Sequence, residues 1–261
     1  MCSTAILAGI KIMDVYLKDD FKVDIKSDDS PITLADRLSD AVIENRLKLN
    51  FSKIPIVSEE GHCDLKSRKS DILFLVDPLD GTKEFIKKTG EFTVNIAVII
   101  NAKAELGVVY VPVTGELFYR DFDGASYLER NVTNVELRSE RIKISCRQVD
   151  MNNLSVVKSI SHSNSETESY IARYAPLNSK RAGSSLKFGL IAQGIADLYP
   201  RLGRTMEWDT AAAHAVLKGA GGNVHRLDTL QELSYGKPNM ENPFFVASSS
   251  SLSLIPYKGE V

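Results

Sequence analysis

The spacing of hydrophobic residues predicts two helices in the first fifty residues. Residues 3–17 and 33–49 both carry apolar side chains at intervals of three and four, which is typical of a helix with one buried face. Between them, residues 21–27 alternate enough to predict a short strand, which the polar turn cluster 27–31 ends. The residues expected on the buried faces are Ile6, Leu7, Ile10, Met13 and Leu17 in the first helix and Leu34, Leu38, Val42 and Leu47 in the second.

The middle of the chain carries short apolar runs that predict strands. Residues 71–77 are almost wholly apolar between two aspartates, and Pro78 closes the run, as is typical of a buried strand. The segments that follow are shorter and closely spaced, which predicts a meander of antiparallel strands. They are residues 93–101, 107–112, 116–120 and 125–129.

Beyond about residue 140 the pattern alternates between strands and helices. We expect strands at 155–159, 180–182 and 198–200, and helices at 165–174, 185–194 and 209–218. This change of pattern predicts an N-terminal α+β half, residues 1–140, and a C-terminal α/β half, residues 141–261. Two mixed sheets between helix layers fit it better than one simple Rossmann sheet.

The amino-acid composition limits the kinds of binding partner and the cellular compartment that we expect for this protein. The 261 residues are 43% hydrophobic and 25% charged, with a formal net charge of −2, so no basic field predicts binding to a nucleic-acid polymer. Three dispersed cysteines indicate neither a disulfide framework nor a zinc site. The apolar start is too short to span a bilayer. We expect a cytoplasmic protein, with peripheral membrane association and oligomeric state left open.

The feature richest in candidate chemistry is the hexapeptide Asp77-Pro-Leu-Asp-Gly-Thr82. Two carboxylates flank a proline turn just after the predicted buried strand, and Mg²⁺ prefers such oxygen ligands. The alternative is an ordinary acidic turn at the end of a strand. Phosphatases that form an aspartyl-phosphate carry their nucleophilic aspartate two residues before the second one, and here that position is Pro78. Covalent catalysis through this motif is therefore disfavoured.

Three other acidic elements have simple structural explanations when each is taken alone. Glu59-Glu60 could be a solvated pair at the end of an apolar stretch. Thr33 and Asp36 have the spacing of a capping box at a helix start. Asp209 could be the N-cap of the predicted helix that follows it.

Taken in order, however, the four elements resemble one family. The chain contains T-x-A-D from Thr33, E-E at 59–60, D-P-x-D-G-T-x-x-F from Asp77, and W-D-x-A-A from Trp208 followed by A-G-G. This arrangement resembles the inositol monophosphatase superfamily of lithium-sensitive, Mg²⁺-dependent phosphatases, and the resemblance covers nearly the whole chain. It implies the layered αβαβα fold of that superfamily.

The resemblance also implies roles for the acidic residues. Two or three Mg²⁺ ions would be held, the first by Glu59, Asp77 and the Leu79 carbonyl, and the second by Asp77, Asp80 and Asp209. A third, weaker ion would lie near Glu59, with Asp36 reaching it through water. Thr82 and Asp36 would form the pair that orients and helps to deprotonate the attacking water, and Glu60 would support the ligands from behind.

A second pattern bears on the substrate. Gly183-Ser184-Ser185 precedes a predicted helix that carries Lys187, and Tyr199-Pro-Arg201 follows later; a glycine-serine turn, a lysine and an arginine could together hold an anion. This pattern resembles the bacterial branch of the family that removes the 3'-phosphate of adenosine 3',5'-bisphosphate to give AMP. The substrate contacts so implied are Gly81, Thr82, Gly183, Ser184, Ser185, Lys187, Tyr199, Arg201 and Asp209.

Two other functions stay open at this point. An inositol mono- or polyphosphate phosphatase would use the same metal ligands on a different substrate. A catalytically inactive regulator that binds metal or nucleotide is the third alternative, and the intact set of acidic residues argues against it.

Overall fold

The computed structural model describes residues 1–18, 23–25, 31–61, 70–136, 138–161 and 164–257. These contain six α-helices: α1 (Cys2–Tyr16), α2 (Leu34–Asn50), α3 (Thr82–Ile86), α4 (Ser165–Ala172), α5 (Leu186–Ala192) and α6 (Ala211–Gly219). Two 3₁₀ turns cover Met151–Asn153 and Glu207–Asp209. A short antiparallel hairpin, β1 (Val23–Ile25) with β2 (Pro31–Thr33), precedes α2.

A seven-stranded sheet forms the larger part of the molecule. Its strands follow in chain order: β3 (Ile56–Ser58), β4 (Ile72–Asp80), β5 (Thr93–Ile100), β6 (Lys103–Val111), β7 (Glu116–Arg120), β8 (Ser126–Glu129) and β9 (Ile142–Ile144). From β4 onward every pairing is antiparallel, as the predicted meander requires, whereas β3 pairs parallel to β4. Nearly every residue of β4 and β5 is buried, because helices cover both faces of the sheet.

The second sheet has five strands in a mixed arrangement. Its order is β11 (Asn178–Ala182), β10 (Ser155–Ser159), β12 (Leu198–Arg201), β14 (Phe245–Ser249) and β13 (Gly222–Arg226). The first three are parallel to one another, and β14 runs antiparallel to both of its neighbours. The strands of the two sheets are not interleaved along the chain.

The helices lie in three layers around the two sheets. α1 and α2 cover the outer face of the seven-stranded sheet, α5 and α6 lie between the sheets, and α4 covers the outer face of the five-stranded sheet. α6 approaches β6 so closely that a Cβ atom at Gly107 would lie 2.1 Å from the Ala212 carbonyl oxygen. The predicted layered αβαβα architecture is therefore confirmed.

Several details differ from the predictions. Leu17 and Leu34, expected on buried faces, are 73% and 51% exposed, because each lies at a helix end on the solvent side. α6 begins at Ala211, and Asp209 belongs to the preceding 3₁₀ turn instead of capping the helix. Of the predicted strand at 21–27, only residues 23–25 lie within the described residues. No described helix is long and apolar enough to cross a membrane.

Candidate active site

The first two candidate metal ligands lie at an irregularity near the end of β4. Asp77 pairs with Asn95 of β5 and Asp80 pairs with Thr93, so β4 has one residue more than β5 between these pairs. Pro78 lies in this bulge, where its missing N–H removes no regular ladder hydrogen bond. Asp77 and Asp80 both line a cavity that opens at this end of the strand.

Glu59 and Asp209 reach the same place from other elements. Because β3 is parallel to β4 and the Glu59 N–H donates to the Val76 carbonyl at 3.1 Å, Glu59 lies beside Asp77. Asp209 ends the second 3₁₀ turn, and its Oδ2 accepts a hydrogen bond from the Met206 N–H at 2.8 Å. Carboxylate oxygens of Glu59, Asp77 and Asp209 all lie within 4.8 Å of one another.

The other predicted ligands lie next to this acidic cluster. Asp80 and Leu79 line the same cavity, whereas Glu60 is not among its lining residues. Oδ2 of Asp80 accepts hydrogen bonds from the hydroxyls of Ser184 and Ser185, at 2.6 and 3.1 Å. The carboxylates predicted as metal ligands thus converge on one wall although they come from distant parts of the sequence.

The electrostatics of this wall favour a divalent cation. Desolvation by the surrounding protein, followed by the negative charges of Asp80 and Glu59, raises the pKa of Asp209 well above its ordinary value. Like charges so close together cannot all stay ionised without a counter-ion. Mg²⁺ prefers carboxylate and carbonyl oxygens, so the residues present fit this ion.

Asp36 and Thr82 lie together at the start of two helices. Oδ2 of Asp36 accepts from the N–H and the hydroxyl of Thr33, at 2.7 and 2.6 Å, which confirms the predicted capping box of α2. The other oxygen, Oδ1, lies 3.1 Å from the Thr82 hydroxyl. Burial raises the pKa of Asp36, while its hydrogen bonds to Thr33 and Thr82 oppose the rise. One carboxylate therefore caps a helix and holds the Thr82 side chain.

The cavity has a volume of about 960 Å³ and is lined by the acidic cluster and by a group of basic and aromatic residues. Lys187 and Arg201 line it and are only 6% and 8% exposed, so neither belongs to a solvated surface. Nζ of Lys187 lies 5.2 Å from the centre of the Tyr199 ring. Burial lowers the pKa of Lys187 to about 8, although Asp80 opposes this shift.

The Gly183-Ser184-Ser185 turn is less open to the cavity than its sequence suggests. Ser184 lines the cavity, and Gly183 and Ser185 are not among its lining residues. Ser185 is 1% exposed, and its hydroxyl lies 2.9 Å from the Asp209 carbonyl oxygen. Gly81, by contrast, lines the cavity and enters α3 with φ +94°, a conformation that favours glycine.

The structure adds residues to the site that the sequence motifs did not indicate. Glu84 lines the cavity beside Ser161, whose hydroxyl donates to it. Thr93 and Asn95 lie behind Asp80 in hydrogen-bond contact with the Ser184-Ser185 turn. The sequence does indicate Thr93 and Asn95, because they are polar residues in an otherwise apolar strand. They lie two positions apart and therefore share one face of β5.

Comparison with known proteins places these features in a family. The model of the inositol monophosphatase family matches residues 2–251. The 3'(2'),5'-bisphosphate nucleotidase CysQ of Escherichia coli (strain K12) is 43% identical over 231 residues, covering 86% of this chain and 88% of the relative. The protein of the same name from Haemophilus influenzae is 31% identical over 252 residues, covering 92% and 87%.

Solved structures agree with this assignment. The crystal structure of CysQ from Bacteroides thetaiotaomicron, a bacterial member of the inositol monophosphatase family, superposes with a TM-score of 0.83 at 38% identity and covers 96% of both chains. An IMPase from Thermotoga maritima gives a TM-score of 0.75 at 24% identity, over 95% of this chain and 90% of the other, which shows a shared fold. The family match and these relatives show, as the four sequence motifs predict, that this chain belongs to the inositol monophosphatase family.

Proposed function

We propose that this protein is a Mg²⁺-dependent 3'(2'),5'-bisphosphate nucleotidase that hydrolyses the 3'-phosphate of adenosine 3',5'-bisphosphate to give AMP and phosphate. The observation that carries the proposal is one cavity lined by two chemically different groups. Carboxylates of the acidic cluster form one group, and the cationic side chains of Lys187 and Arg201 form the other. A substrate with two phosphates needs both kinds of site, and relatives 43% identical to this chain bear the name of this activity.

The acidic cluster is the proposed site of two or three Mg²⁺ ions. Glu59, Asp77 and the Leu79 carbonyl would hold the first, and Asp77, Asp80 and Asp209 the second, with a third, weaker ion near Glu59. When bound, Mg²⁺ supplies positive charge that makes a nearby water more acidic and offsets negative charge on the phosphoryl oxygens. Glu60, behind this wall, is the proposed support for the ligands.

Asp36 and Thr82 are the proposed catalytic pair. Thr33 occupies one oxygen of Asp36 with two hydrogen bonds, so the other oxygen faces the Thr82 hydroxyl. A hydroxyl that donates to Asp36 can accept a hydrogen bond from water and so orient it for in-line attack. Because burial raises the pKa of Asp36, it is a better proton acceptor than an exposed aspartate.

Lys187, Tyr199 and Arg201 are the proposed binding site for the second phosphate. A buried ammonium group and a guanidinium fork both donate to phosphate oxygens, and the low polarity of their surroundings strengthens these bonds. Gly81 and Thr82 at the start of α3, with Ser184 on the adjoining wall, complete the proposed contacts near the scissile group. Gly183 and Ser185 would act from behind this wall.

The decisive experiment measures Mg²⁺-dependent phosphate release from adenosine 3',5'-bisphosphate, inositol 1-phosphate and fructose 1,6-bisphosphate side by side. We expect a strong preference for the nucleotide and inhibition by Li⁺ that competes with Mg²⁺. Preference for the inositol phosphate would overturn the substrate assignment and keep the metal site. No turnover of any of the three would favour the inactive regulator.

Two arginine variants then test the second phosphate site. Arg201→Ala should raise KM for the nucleotide roughly tenfold or more, since a charge-assisted bond to phosphate contributes about 1.5–3 kcal/mol, and should leave a minimal phosphate ester almost unaffected. Arg181→Ala, an exposed change on β11 outside the cavity, is the matched control. Equal losses on both substrates with Arg201→Ala would contradict the assigned role.

A further inference from the structure

A buried polar network joins the two halves of the active site behind its wall. Thr93 and Asn95 come from β5 of the seven-stranded sheet, and Ser184 and Ser185 come from the turn before α5. All four are at most 9% exposed. Every polar side chain so buried needs partners, and here the partners include the aspartates of the proposed metal site.

The hydrogen bonds converge on Asp80 and on the backbone of Asp209. Oδ2 of Asp80 accepts from the hydroxyls of Ser184 and Ser185, at 2.6 and 3.1 Å, and lies 3.4 Å from the Asn95 amide nitrogen. The Ser185 hydroxyl is also 2.9 Å from the Asp209 carbonyl oxygen. Ser185 therefore bridges two residues that lie 129 positions apart in sequence.

Each hydroxyl of the network has a single proton, which limits the hydrogen bonds that it can donate. The Ser185 oxygen accepts from the Asn95 amide at 2.9 Å, so its single proton is directed to Asp80 or to the Asp209 carbonyl. Ser184 donates to Asp80 at 2.6 Å, and its oxygen lies 2.5 Å from the Thr93 hydroxyl, where either group can be the donor. Both serine hydroxyls thus have an acceptor on the metal side and a polar neighbour on β5.

The backbone of the turn supports this arrangement. Ser184 has φ +49°, a left-handed conformation that is unfavourable for a residue with a side chain. The Lys187 ammonium donates to the Ser184 carbonyl at 2.6 Å. An unfavourable conformation persists where surrounding contacts maintain it, and these contacts direct the Ser184 hydroxyl to Asp80.

We propose that Asn95 and Ser185 are positioning residues that fix Asp80 and Asp209 relative to each other and so set the affinity of the site for Mg²⁺. The inference rests on the proposed metal site and not on the identity of the substrate. It also gives Ser185 a different role from the substrate contact implied by the sequence resemblance, since its hydroxyl is directed to the ligands and it does not line the cavity.

The test measures Mg²⁺ binding by isothermal titration calorimetry on protein freed of metal with EDTA and then dialysed. Asn95→Ala and Ser185→Ala should each raise the Kd for Mg²⁺ at least tenfold, since residues that orient metal ligands typically change affinity by about 10–100-fold. The double variant should lose less than the product of the single losses, because Asn95 and Ser185 share a hydrogen bond.

Ser126→Ala is the matched control. Ser126 is also fully buried, and its hydroxyl donates to the Val216 carbonyl at 2.6 Å, away from the cavity. Its loss should leave the Kd for Mg²⁺ within about twofold while lowering the melting temperature, as loss of one buried hydrogen bond does. If either alanine variant fails to fold, Asn95→Ser and Ser185→Gly test the same contacts with different side chains.

The outcomes separate this inference from the proposed function. An unchanged Kd for Mg²⁺ in both single variants would overturn the positioning role. A raised KM for adenosine 3',5'-bisphosphate with unchanged Mg²⁺ affinity would assign Ser185 to substrate binding instead. Wild-type protein that binds Mg²⁺ but hydrolyses no nucleotide would leave the positioning role standing and remove the proposed substrate, whereas wild-type protein that binds no Mg²⁺ would overturn both.

Discussion

Asp209→Asn should stabilise the metal-free protein while weakening its response to Mg²⁺. Asp209 lies with Glu59 and Asp77 in a cluster whose oxygens are within 4.8 Å of one another. Desolvation and neighbouring negative charges raise the pKa of Asp209, so ionising it in the empty site costs free energy. Asparagine has nearly the same shape, and its amide oxygen can still accept the hydrogen bond from the Met206 N–H.

The size of the effect follows from the separation of the charges. Two unit charges at the upper limit of 4.8 Å repel each other by about 3.5 kcal/mol at an effective dielectric constant of about 20. Partial protonation of Asp209 already relieves some of this repulsion, so we expect a gain of roughly 2 kcal/mol at neutral pH. For a protein of this size such a gain raises Tm by about 4–8 °C.

The stability difference between the wild type and Asp209→Asn should depend on pH. A carboxyl group whose pKa is raised on folding stabilises the folded state below its ordinary pKa, and that stability is lost as the pH rises through the raised value. The metal-free wild type should therefore lose stability relative to Asp209→Asn as the pH increases toward neutrality. Mg²⁺ at about a hundred times its Kd should restore roughly 2.7 kcal/mol to the wild type and less to the variant, which loses one proposed ligand of the second ion and keeps those of the first.

Thermal unfolding in EDTA and in excess Mg²⁺ measures both effects, with Asp197→Asn as the control. Asp197 is fully buried and pairs with Arg147 at 2.5 Å, so removing its charge should lower Tm in both buffers by leaving the arginine without its partner. The reasoning would be refuted if Asp209→Asn melted below the wild type in EDTA, or if it kept the full Mg²⁺-induced rise in Tm.

Three further predictions concern other parts of the molecule. Burial lowers the pKa of Lys187 to about 8, so Lys187 loses its charge above that pH. We therefore expect kcat/KM for the bisphosphate to fall up to tenfold per pH unit above pH 8. In the same pH series, Lys187→Arg should show a flatter fall. Burial lowers the pKa of His214 from 6.5 to about 4. The free energy of unfolding of the wild type, measured with urea, should therefore fall by roughly 2 kcal/mol between pH 7.5 and pH 5 relative to that of His214→Gln. The same pH dependence in both proteins would contradict this. Gly107→Ala should lower Tm by several degrees, since the added Cβ would clash with the Ala212 carbonyl oxygen. As a control, Gly203→Ala should leave Tm nearly unchanged, because no atom lies nearer than 3.7 Å to the added Cβ.

The sequence predicts most of the fold because its elements carry local signals. The periodic helices α1 and α2 and the apolar strands β4 and β5 lie close to their predicted bounds. Shorter elements such as β2 have no comparable signal, since three residues are too few to show a period. The exposure of Leu34 could not be predicted either, because it depends on which neighbour covers the first turn of α2.

The site residues also differ in whether they belong to a local sequence motif or depend on contacts between distant segments. Acidic motifs with fixed spacing, such as Asp77 to Asp80, are local and visible in the sequence. The contacts of Ser185 with Asn95 and Asp80 join residues 90 and 105 positions apart. The same residue types at a glycine-serine turn can face an anion or a metal ligand, and the hydrogen bonds of this turn to Thr93 and Asn95 of β5 decide between them.

The acidic and the cationic residues of the cavity have opposite linkage to protons, which bears on how the proposed reaction depends on pH. Burial, followed by the negative charges of Asp80 and Glu59, raises the pKa of Asp209, so Mg²⁺ competes with protons and binds better as the pH rises. Burial lowers the pKa of Lys187 to about 8, so an anion beside it favours protonation and binds worse as the pH rises past that value. Activity that needs both ligands should therefore fall above about pH 8, and also at low pH, where protons compete with Mg²⁺ for Asp209. Lys187 also donates to the Ser184 carbonyl, and the Ser184 hydroxyl donates to Asp80, so the cation proposed to bind the second phosphate also supports the turn beside a proposed metal ligand.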